Sequence, residues 1–321
     1  MAWLVTGGAG YIGAHVVRAL LDAGEPVVVV DDLSTGYAHR VPVDVPLHRV
    51  DISDGGALDD VFGRYRPVGV VHLAARKDVA ESTAHPLRYY RDNLEGLRAV
   101  LAGVSRYGTR HVLFSSSAAV YGTPGRVPVR ESDPTRPENA YGRTKLVGEW
   151  LLRDAAASAG FGWAALRYFN VAGAAEPRLR DVGLTNLVPR LLRCVADGIP
   201  ATVHGGDYPT RDGSAVRDYV DVRDVAEAHA AAVRGLLGGV LHADVLNVGR
   251  GTGVSVLEMV RAVGEALGTD LPYVIGPRRP GDPAEVVAAV DDIATRLGWT
   301  ARFGLADIVR SAAGHTAPVP A

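Results

Sequence analysis

Trp3-Leu4-Val5-Thr6-Gly7-Gly8-Ala9-Gly10-Tyr11-Ile12-Gly13 begins almost at Met1. A short apolar strand runs straight into glycines spaced G-x-x-G-x-x-G, and a helical pattern follows over about 14–23. Glycine is common here, 38 of 321 residues, so the spacing alone arises roughly half a time by chance. Its position carries the signal. Where a first strand turns into a first helix, bare backbone at Gly7, Gly10 and Gly13 can approach a pyrophosphate at the positive end of the helix. The alternative is a glycine turn in an α/β domain that holds no nucleotide.

Val27-Val28-Val29-Val30 is a fully apolar run that reads as a second buried parallel strand, ending in Asp31-Asp32. An acid at that point is placed to bind the adenosine ribose hydroxyls. Its charge repels a 2′-phosphate, so the expected cofactor is NAD rather than NADP. Further strands read at 68–73, 111–115 and 163–168, alternating with helices at 86–107 and 141–159. This βαβ alternation predicts an α/β fold, a doubly wound parallel sheet of Rossmann type. Beyond Asn170 prolines and glycines become frequent and the helices shorter, which predicts a smaller C-terminal α/β domain. The expected division is 1–170, with a return near 218–235, and 171–321. The tail 314–321, with Pro318 and Pro320, is expected to fray.

Composition narrows the function. Net charge is −2 and the arginines are scattered, which argues against nucleic acid. No apolar stretch approaches a membrane span, and a strand starting at Trp3 leaves no room for a signal peptide, so a cytoplasmic enzyme is expected. Cys194 is the only cysteine and reads as a small core residue. The ten histidines are never closer than nine residues apart, so no local metal-ligand motif exists.

Only two of the 34 basic residues are lysine, and one of them, Lys145, lies four residues after Tyr141. Lysine is a compact charge on a thin stem, able to reach where the flat guanidinium fork cannot. A Tyr-x-x-x-Lys pair arises by chance roughly 0.1 times in such a chain. It reads either as a surface pair one helical turn apart or as a phenol made acidic by an adjacent ammonium, able to act as a base. Phe114-Ser115-Ser116-Ser117 favours the second reading. An apolar strand delivers serines at its carboxyl end, where a hydroxyl can bond the oxygen that Tyr141 deprotonates.

Gly7-x-x-Gly10-x-x-Gly13, Asp31, Ser115-Ser116-Ser117 and Tyr141-x-x-x-Lys145 together resemble the extended short-chain dehydrogenase/reductase superfamily. Longer strings are similar to the UDP-glucose 4-epimerase family: Val5 to Gly13, Leu166-Arg167-Tyr168-Phe169-Asn170, Asp207-Tyr208-Pro209-Thr210 and Val216-Arg217-Asp218-Tyr219. The resemblance implies Tyr141 as base, Lys145 as its electrostatic partner and ribose anchor, and Ser117 as the hydroxyl that orients the sugar. Tyr11, Ile12, Asp31, Asp32, Ser34, Thr35 and Gly36 would line the pyrophosphate and adenosine, with Asp51 and Ile52 flanking adenine. Leu73, Ala74, Ala75 and Lys77 would lie along the cofactor, with Phe169 near the nicotinamide. Asn170, Asn186, Leu187, Val203, His204, Gly205, Arg217, Arg279 and Asp282 would hold a UDP-hexose. Arg217 and Arg279 suit its diphosphate, which guanidinium binds bidentately. Val286 would form a wall of the sugar pocket.

The implied reaction is reversible inversion at sugar C4 through a 4-keto intermediate, with UDP-glucose and UDP-galactose as the pair. Two departures from the family pattern occur. Asp92-Asn93 replaces a usual asparagine pair, adding a charge beside the cofactor, and Ala289 replaces a frequent aspartate, to which no function is attached. A 4,6-dehydratase needs an acid and a base where Ala118 and Ala119 stand. UDP-N-acetylglucosamine and UDP-glucuronate 4-epimerases are the nearer alternatives, and a non-catalytic NAD-binding sensor is the alternative of a different class. The resemblance also implies a homodimer formed by the helices at 86–107 and 141–159, with Leu97, Val104, Leu151 and Leu152 as candidate contact positions, some of which must face the sheet instead.

Overall fold

The computed structural model describes residues 2–279 and 281–314; most of the tail expected to fray lies outside them. The first half runs β1 (Trp3–Thr6), α1 (Tyr11–Asp22), β2 (Val27–Asp31), β3 (Leu47–Arg49), α2 (Gly55–Tyr65) and β4 (Gly69–His72). It continues through α3 (Val79–Ala84), α4 (Pro86–Tyr90), α5 (Gly96–Tyr107), β5 (His111–Ser117), α6 (Ala140–Ala159) and β6 (Gly162–Tyr168). Then come β7 (Asn170–Ala172), α7 (Leu187–Asp197), β8 (Ala201–His204), β9 (Val216–Asp221), α8 (Val222–Leu237) and β10 (Ala243–Val248). The chain ends with β11 (Gly253–Ser255), α9 (Val256–Leu267), β12 (Tyr273–Gly276), β13 (Glu285–Val286), α10 (Asp291–Leu297) and α11 (Leu305–Ala313).

Seven strands form one sheet in the order β10-β6-β5-β4-β1-β2-β3, and every pairing in it is parallel. This is the doubly wound sheet expected from the apolar strand runs. Alternate side chains serve opposite faces. Trp3, Val5, Val29, Val71 and Leu113 pack with Val16, Leu20, Val225 and Leu236 of α1 and α8. Leu4, Val28, Val30, Val70 and Phe114 pack with Phe62, Leu101, Val104 and Leu152 of α2, α5 and α6.

The second half builds smaller sheets. β9 lies between β11 and β13 and also pairs β7, while β12 pairs β8. Val203, Tyr219, Met259, Val263 and Ile308 form their core. The segment 218–235 therefore divides, its strand joining the small sheet and its helix α8 packing on the large one, which β10 then extends. Cys194 packs at the margin of the smaller core and is unpaired. The helix expected over 86–107 is continuous but widens into a π turn at Arg91–Glu95.

Three histidines are buried beneath the helices and built as neutral rings. His15 accepts from the Ala175 N–H at 3.0 Å, and His229 Nε2 accepts from the Tyr168 hydroxyl at 2.7 Å. Burial pushes their pKa down to about 4 each, and burial plus Lys145 pushes His72 down to about 3. The unfolded chain therefore takes up these protons from about pH 6.5 downward while the native protein refuses them, so stability is lost as pH falls. At about 1.4 kcal/mol per pH unit per group, each histidine costs roughly 2 kcal/mol at pH 5. Asp224 offsets about 1.4 kcal/mol of this, because burial raises its pKa to about 6. Calorimetric melting at pH 7.5 and pH 5.0 is expected to show a midpoint lower by on the order of 10 °C at pH 5.0. An equal or higher midpoint at pH 5.0 contradicts the neutral-ring reading.

Candidate active site

Glycines 7, 10 and 13 bring β1 and α1 together in different ways. Gly7 adopts φ +74°, closed to most side chains, and a Cβ there would lie 2.7 Å from the Ala74 nitrogen. A Cβ on Gly13 would stand 2.0 Å from the Gly7 carbonyl oxygen, so helix and loop touch backbone to backbone. Gly10 differs: its Cβ would meet only that oxygen, at 3.2 Å, so its bareness serves space outside the protein's own packing. Gly10 also caps α1, and no side chain satisfies the first-turn N–H groups. Bare backbone and open donors at a helix N-terminus fit a pyrophosphate.

Asp31 ends β2 and turns back onto this loop, its two carboxylate oxygens accepting from the Ala9 and Leu33 N–H groups at 2.9 Å each. Each oxygen keeps a lone pair for a ribose hydroxyl. Burial raises its pKa and these backbone bonds oppose the rise. Gly36 presses so close that a Cβ would fall 2.8 Å from Asp31 Oδ1, while Ser34 and Thr35 are exposed. Asp32 and Asp51 are exposed turn residues, each accepting from the N–H and hydroxyl of a serine two residues on. Ile52 is buried against Gly96. The Tyr11 hydroxyl donates to the Gly173 carbonyl at 2.6 Å, so Tyr11 and half-buried Ile12 face the ligand space through backbone.

Leu73, Ala74 and Ala75 leave β4 beside the loop, with the Leu73 N–H bonded to Thr6 O at 3.0 Å. Lys77 is exposed, its ammonium 4.0 Å from Asp181. Asp92 lies on the π turn, bonded to Arg76 and, at 2.7 Å, to Arg91. Burial would raise its pKa, but these bonds hold it below the usual range. The charge that departs from the family pattern is thus met by arginines. Its neighbour Asn93 clasps the Arg76 backbone at 2.8 and 3.1 Å.

Tyr141 and Lys145 stand on successive turns of α6, facing the end of β5. The Lys145 ammonium donates to Ser115 O at 2.8 Å, lying 5.1 Å from the Phe114 ring and 5.9 Å from the Tyr141 ring. Burial brings its pKa down to about 7, against the opposing charge of Glu149. Burial also raises the Tyr141 phenol, while the neighbouring Ser117 hydroxyl pulls it down. The ammonium bonds the strand carbonyl rather than the phenol, and burial is the largest influence on Tyr141. Phe169 and Val286 pack together with Val120, Tyr121 and Leu146 next to this point.

Arg217 on β9 bonds Asp282 and donates to Val216 O at 2.8 Å. Arg279 is held below its usual pKa by burial and then by the Arg190 guanidinium, with Asp282 opposing. Arg190, on α7, was not visible as a site residue from sequence, since a lone arginine in an amphipathic helix carries no local signal. His204 Nδ1 lies 3.3 Å from the Pro277 carbonyl, and Gly205 adopts φ +86° against the Tyr208 ring. Asn186 caps α7 and bonds Asp181 at 2.5 Å, Leu187 begins the helix, and Asn170 is exposed at the start of β7. A groove of about 590 Å³ along β8 and β12 reaches this set only at Gly205 and lies apart from the β5–α6 chemistry.

Residues 3–249 match the NAD dependent epimerase/dehydratase family. The chain belongs to that family. A UDP-glucose 4-epimerase of Azospirillum brasilense is 45% identical over 317 residues, covering 96% of this chain and 90% of the relative. The crystal structure of UDP-glucose 4-epimerase from Brucella ovis in complex with NAD aligns with TM-score 0.93 at 39% identity, covering 98% of each chain. That from Stenotrophomonas maltophila, with bound NAD and formylated UDP-arabinopyranose, aligns with TM-score 0.92 at 38% identity, covering 98% of this chain and 97% of the other.

Proposed function

We propose that this protein interconverts UDP-glucose and UDP-galactose by reversible epimerisation at C4, with tightly held NAD. The single observation that carries the reading is the Ser117–Tyr141–Lys145 group at the carboxyl end of β5, in a chain that matches UDP-glucose 4-epimerases over nearly its whole length. Residues 1–170, with the return near 218–235, would hold NAD, and 171–321 the UDP-sugar.

Gly7, Gly10, Gly13 and the open N–H groups of α1 would hold the pyrophosphate, Asp31 the ribose, and Lys77, Asp92 and Phe169 would lie along the remainder. When bound, NAD accepts hydride from sugar C4 and returns it. The Tyr141 Oη takes the proton of the sugar 4-hydroxyl and gives it back to the 4-keto sugar, while the Ser117 hydroxyl orients that oxygen. Lys145 contributes positive charge to the desolvated phenol. Arg217 and Arg279 hold the diphosphate while the keto sugar turns over, so the hexose reorients without leaving. Purified protein given UDP-galactose and no added cofactor should form UDP-glucose, and it should bind NAD in preference to NADP. Absence of product from either sugar, with NAD retained, favours a non-catalytic NAD sensor instead.

The substrate range extends to the N-acetylated UDP-hexosamines. Val286 pairs in register with Arg217 and packs on Phe169, which supports a place between the diphosphate clamp and the nicotinamide end. A small side chain there leaves room for a bulky 2-substituent on both faces of the turning sugar. Wild type should turn over both substrate pairs, and Val286→Tyr should lose the acetylated pair selectively. Kinetics on the two pairs check this; a wild type confined to the non-acetylated pair makes Val286 ordinary packing.

A cytoplasmic homodimer completes the reading. Among the described residues no helix is long and apolar enough to cross a membrane. Of the candidate contact positions, Leu97, Val104 and Leu152 are the ones that face the sheet, and Leu151 is partly covered. The outward apolar side chains on these helices are Trp150 on α6 and Leu87 on α4, 48% and 82% exposed. Light scattering at micromolar concentration should give twice the chain mass, and Trp150→Glu should shift it toward the monomer. A wild-type monomer removes the dimer.

A further inference from the structure

Behind Lys145, one more turn along α6, Glu149 is buried with Arg167 of β6, each side chain 6% exposed. The pair is bidentate: Arg167 Nε donates to Oε1 at 2.9 Å and Nη2 to Oε2 at 2.6 Å. Ser116 Oγ donates to the same Oε1 at 2.5 Å. Arg167 Nη1 donates to the Tyr121 hydroxyl at 2.9 Å, and that hydroxyl donates to Asn247 Oδ1 of β10 at 2.7 Å. The sheet register explains the convergence. Ser116 on β5 pairs with Arg167 on β6, so both present side chains to the helix that covers them.

Ser116 lies between the two residues through which β5 meets the catalytic helix. The Ser115 carbonyl receives the Lys145 ammonium, and the Ser117 hydroxyl neighbours the Tyr141 phenol. Tyr141, Lys145 and Glu149 follow at four-residue steps, a spacing that puts neighbouring side chains on one helix face. A buried ion pair adds little to stability over apolar packing of equal volume, so its place directly behind the reacting groups asks for another reason. We propose that Glu149, locked by Arg167, is a positioning residue for proton transfer: it fixes the Ser115–Ser117 end of β5 against α6 and faces the Lys145 ammonium with a compensating carboxylate. This rests on the reading of Tyr141 and Lys145 given above.

Other groups face the pair from each packed element. His72 on β4 is neutral and lies within the field of Lys145. Tyr168 on β6 is bonded to His229 and kept protonated by burial. Tyr121 and Glu131 approach from the β5–α6 connection, on the Arg167 side. Among these, Glu149 is the carboxylate whose charge favours the protonated form of Lys145.

The test is the pH profile of kcat for wild type, Glu149→Gln, and the double variant Glu149→Gln/Arg167→Met, which removes the ion pair without leaving Arg167 charged and unpartnered. Lys145 must be protonated to act, so removal of the carboxylate should move the alkaline limb down by about one pH unit, with KM little changed. A residue that merely holds the fold lowers the whole profile without moving the limb. Ser116→Ala leaves the ion pair intact and should lower kcat by roughly tenfold through the lost charge-assisted bond. An unmoved limb in folded Glu149→Gln overturns the proposal, and so does wild-type kcat in the folded double variant. Wild-type kcat in Ser116→Ala does so as well, and decides the matter should neither Glu149 variant fold. Full activity in Tyr141→Phe sinks the underlying catalytic reading instead, a result separate from any of these.

Discussion

Lys145→Arg is expected to lower kcat by roughly 10²–10⁴-fold although it conserves charge. The ammonium sits almost fully buried, bonded to Ser115 O at 2.8 Å, against the Phe114 ring at 5.1 Å, with neutral His72 nearby. A guanidinium is planar and wider, with five donors to satisfy, and that space offers one carbonyl. It must displace Phe114 or swing away, and either leaves Tyr141 without the positive charge that its desolvated phenol requires. The burial that raises the Tyr141 pKa is then left with less positive charge to oppose it, and the fraction of phenolate near neutrality falls further. Activity of the mutant, if measurable, should rise toward alkaline pH further than that of wild type. Pre-steady-state and steady-state turnover across pH, alongside Tyr141→Phe as a reference for complete loss, provide the measurement. Near-normal turnover of Lys145→Arg at neutral pH means that the scarcity of lysine in this chain has another cause.

Gly13→Ala and Gly10→Ala should separate what the two glycines do. In Gly13→Ala the new Cβ would be driven to 2.0 Å from the Gly7 oxygen and 2.8 Å from Gly8 Cα, both backbone atoms that cannot rotate aside. Overpacking of this kind costs roughly 1–3 kcal/mol, so this variant is expected to melt earlier and to bind NAD roughly 10–100-fold more weakly. At Gly10 the only close atom is 3.2 Å away and the backbone is extended, so the fold accepts alanine. There the methyl group projects where a pyrophosphate would approach. Gly10→Ala should keep its melting temperature and still lose NAD, read by calorimetry with titration of NAD into stripped protein. If Gly10→Ala binds NAD as wild type does, the loop does not carry the pyrophosphate.

Much of this was legible in sequence because the relevant physics is local. β1 and β2 are almost wholly apolar runs and β6 is one broken only by Arg167, and a buried parallel strand needs little else to be recognised. The lysine four residues past Tyr141 was visible because one helical turn fixes its neighbour. What escaped depends on register between distant strands. Ser116 and Arg167 become neighbours only through the β5–β6 pairing, so Glu149 looked like any acid in a long helix. β9 follows the same strand-then-helix pattern as the large-sheet strands, yet it pairs with β7, β11 and β13, a choice that periodicity does not encode. Which of Leu97, Val104, Leu151 and Leu152 face the sheet stayed open because a 3.6-residue period identifies a stripe without saying which neighbour it meets.

β10 is the outermost strand of the large sheet, and β6, its neighbour, has no other partner on that side. During synthesis β6 emerges well before residues 243–248, so the growing chain carries an open, apolar strand edge of the kind that pairs with whatever is near. The sheet is complete only once translation has passed Val248, after β7, β8 and β9 have been made. A cut at residue 170 would therefore fall inside the large sheet and leave its first six strands with a raw border. The large sheet and the smaller ones are consequently joined by more than a linker: the strand that finishes the large sheet is made only after β7, β8 and β9 of the smaller ones.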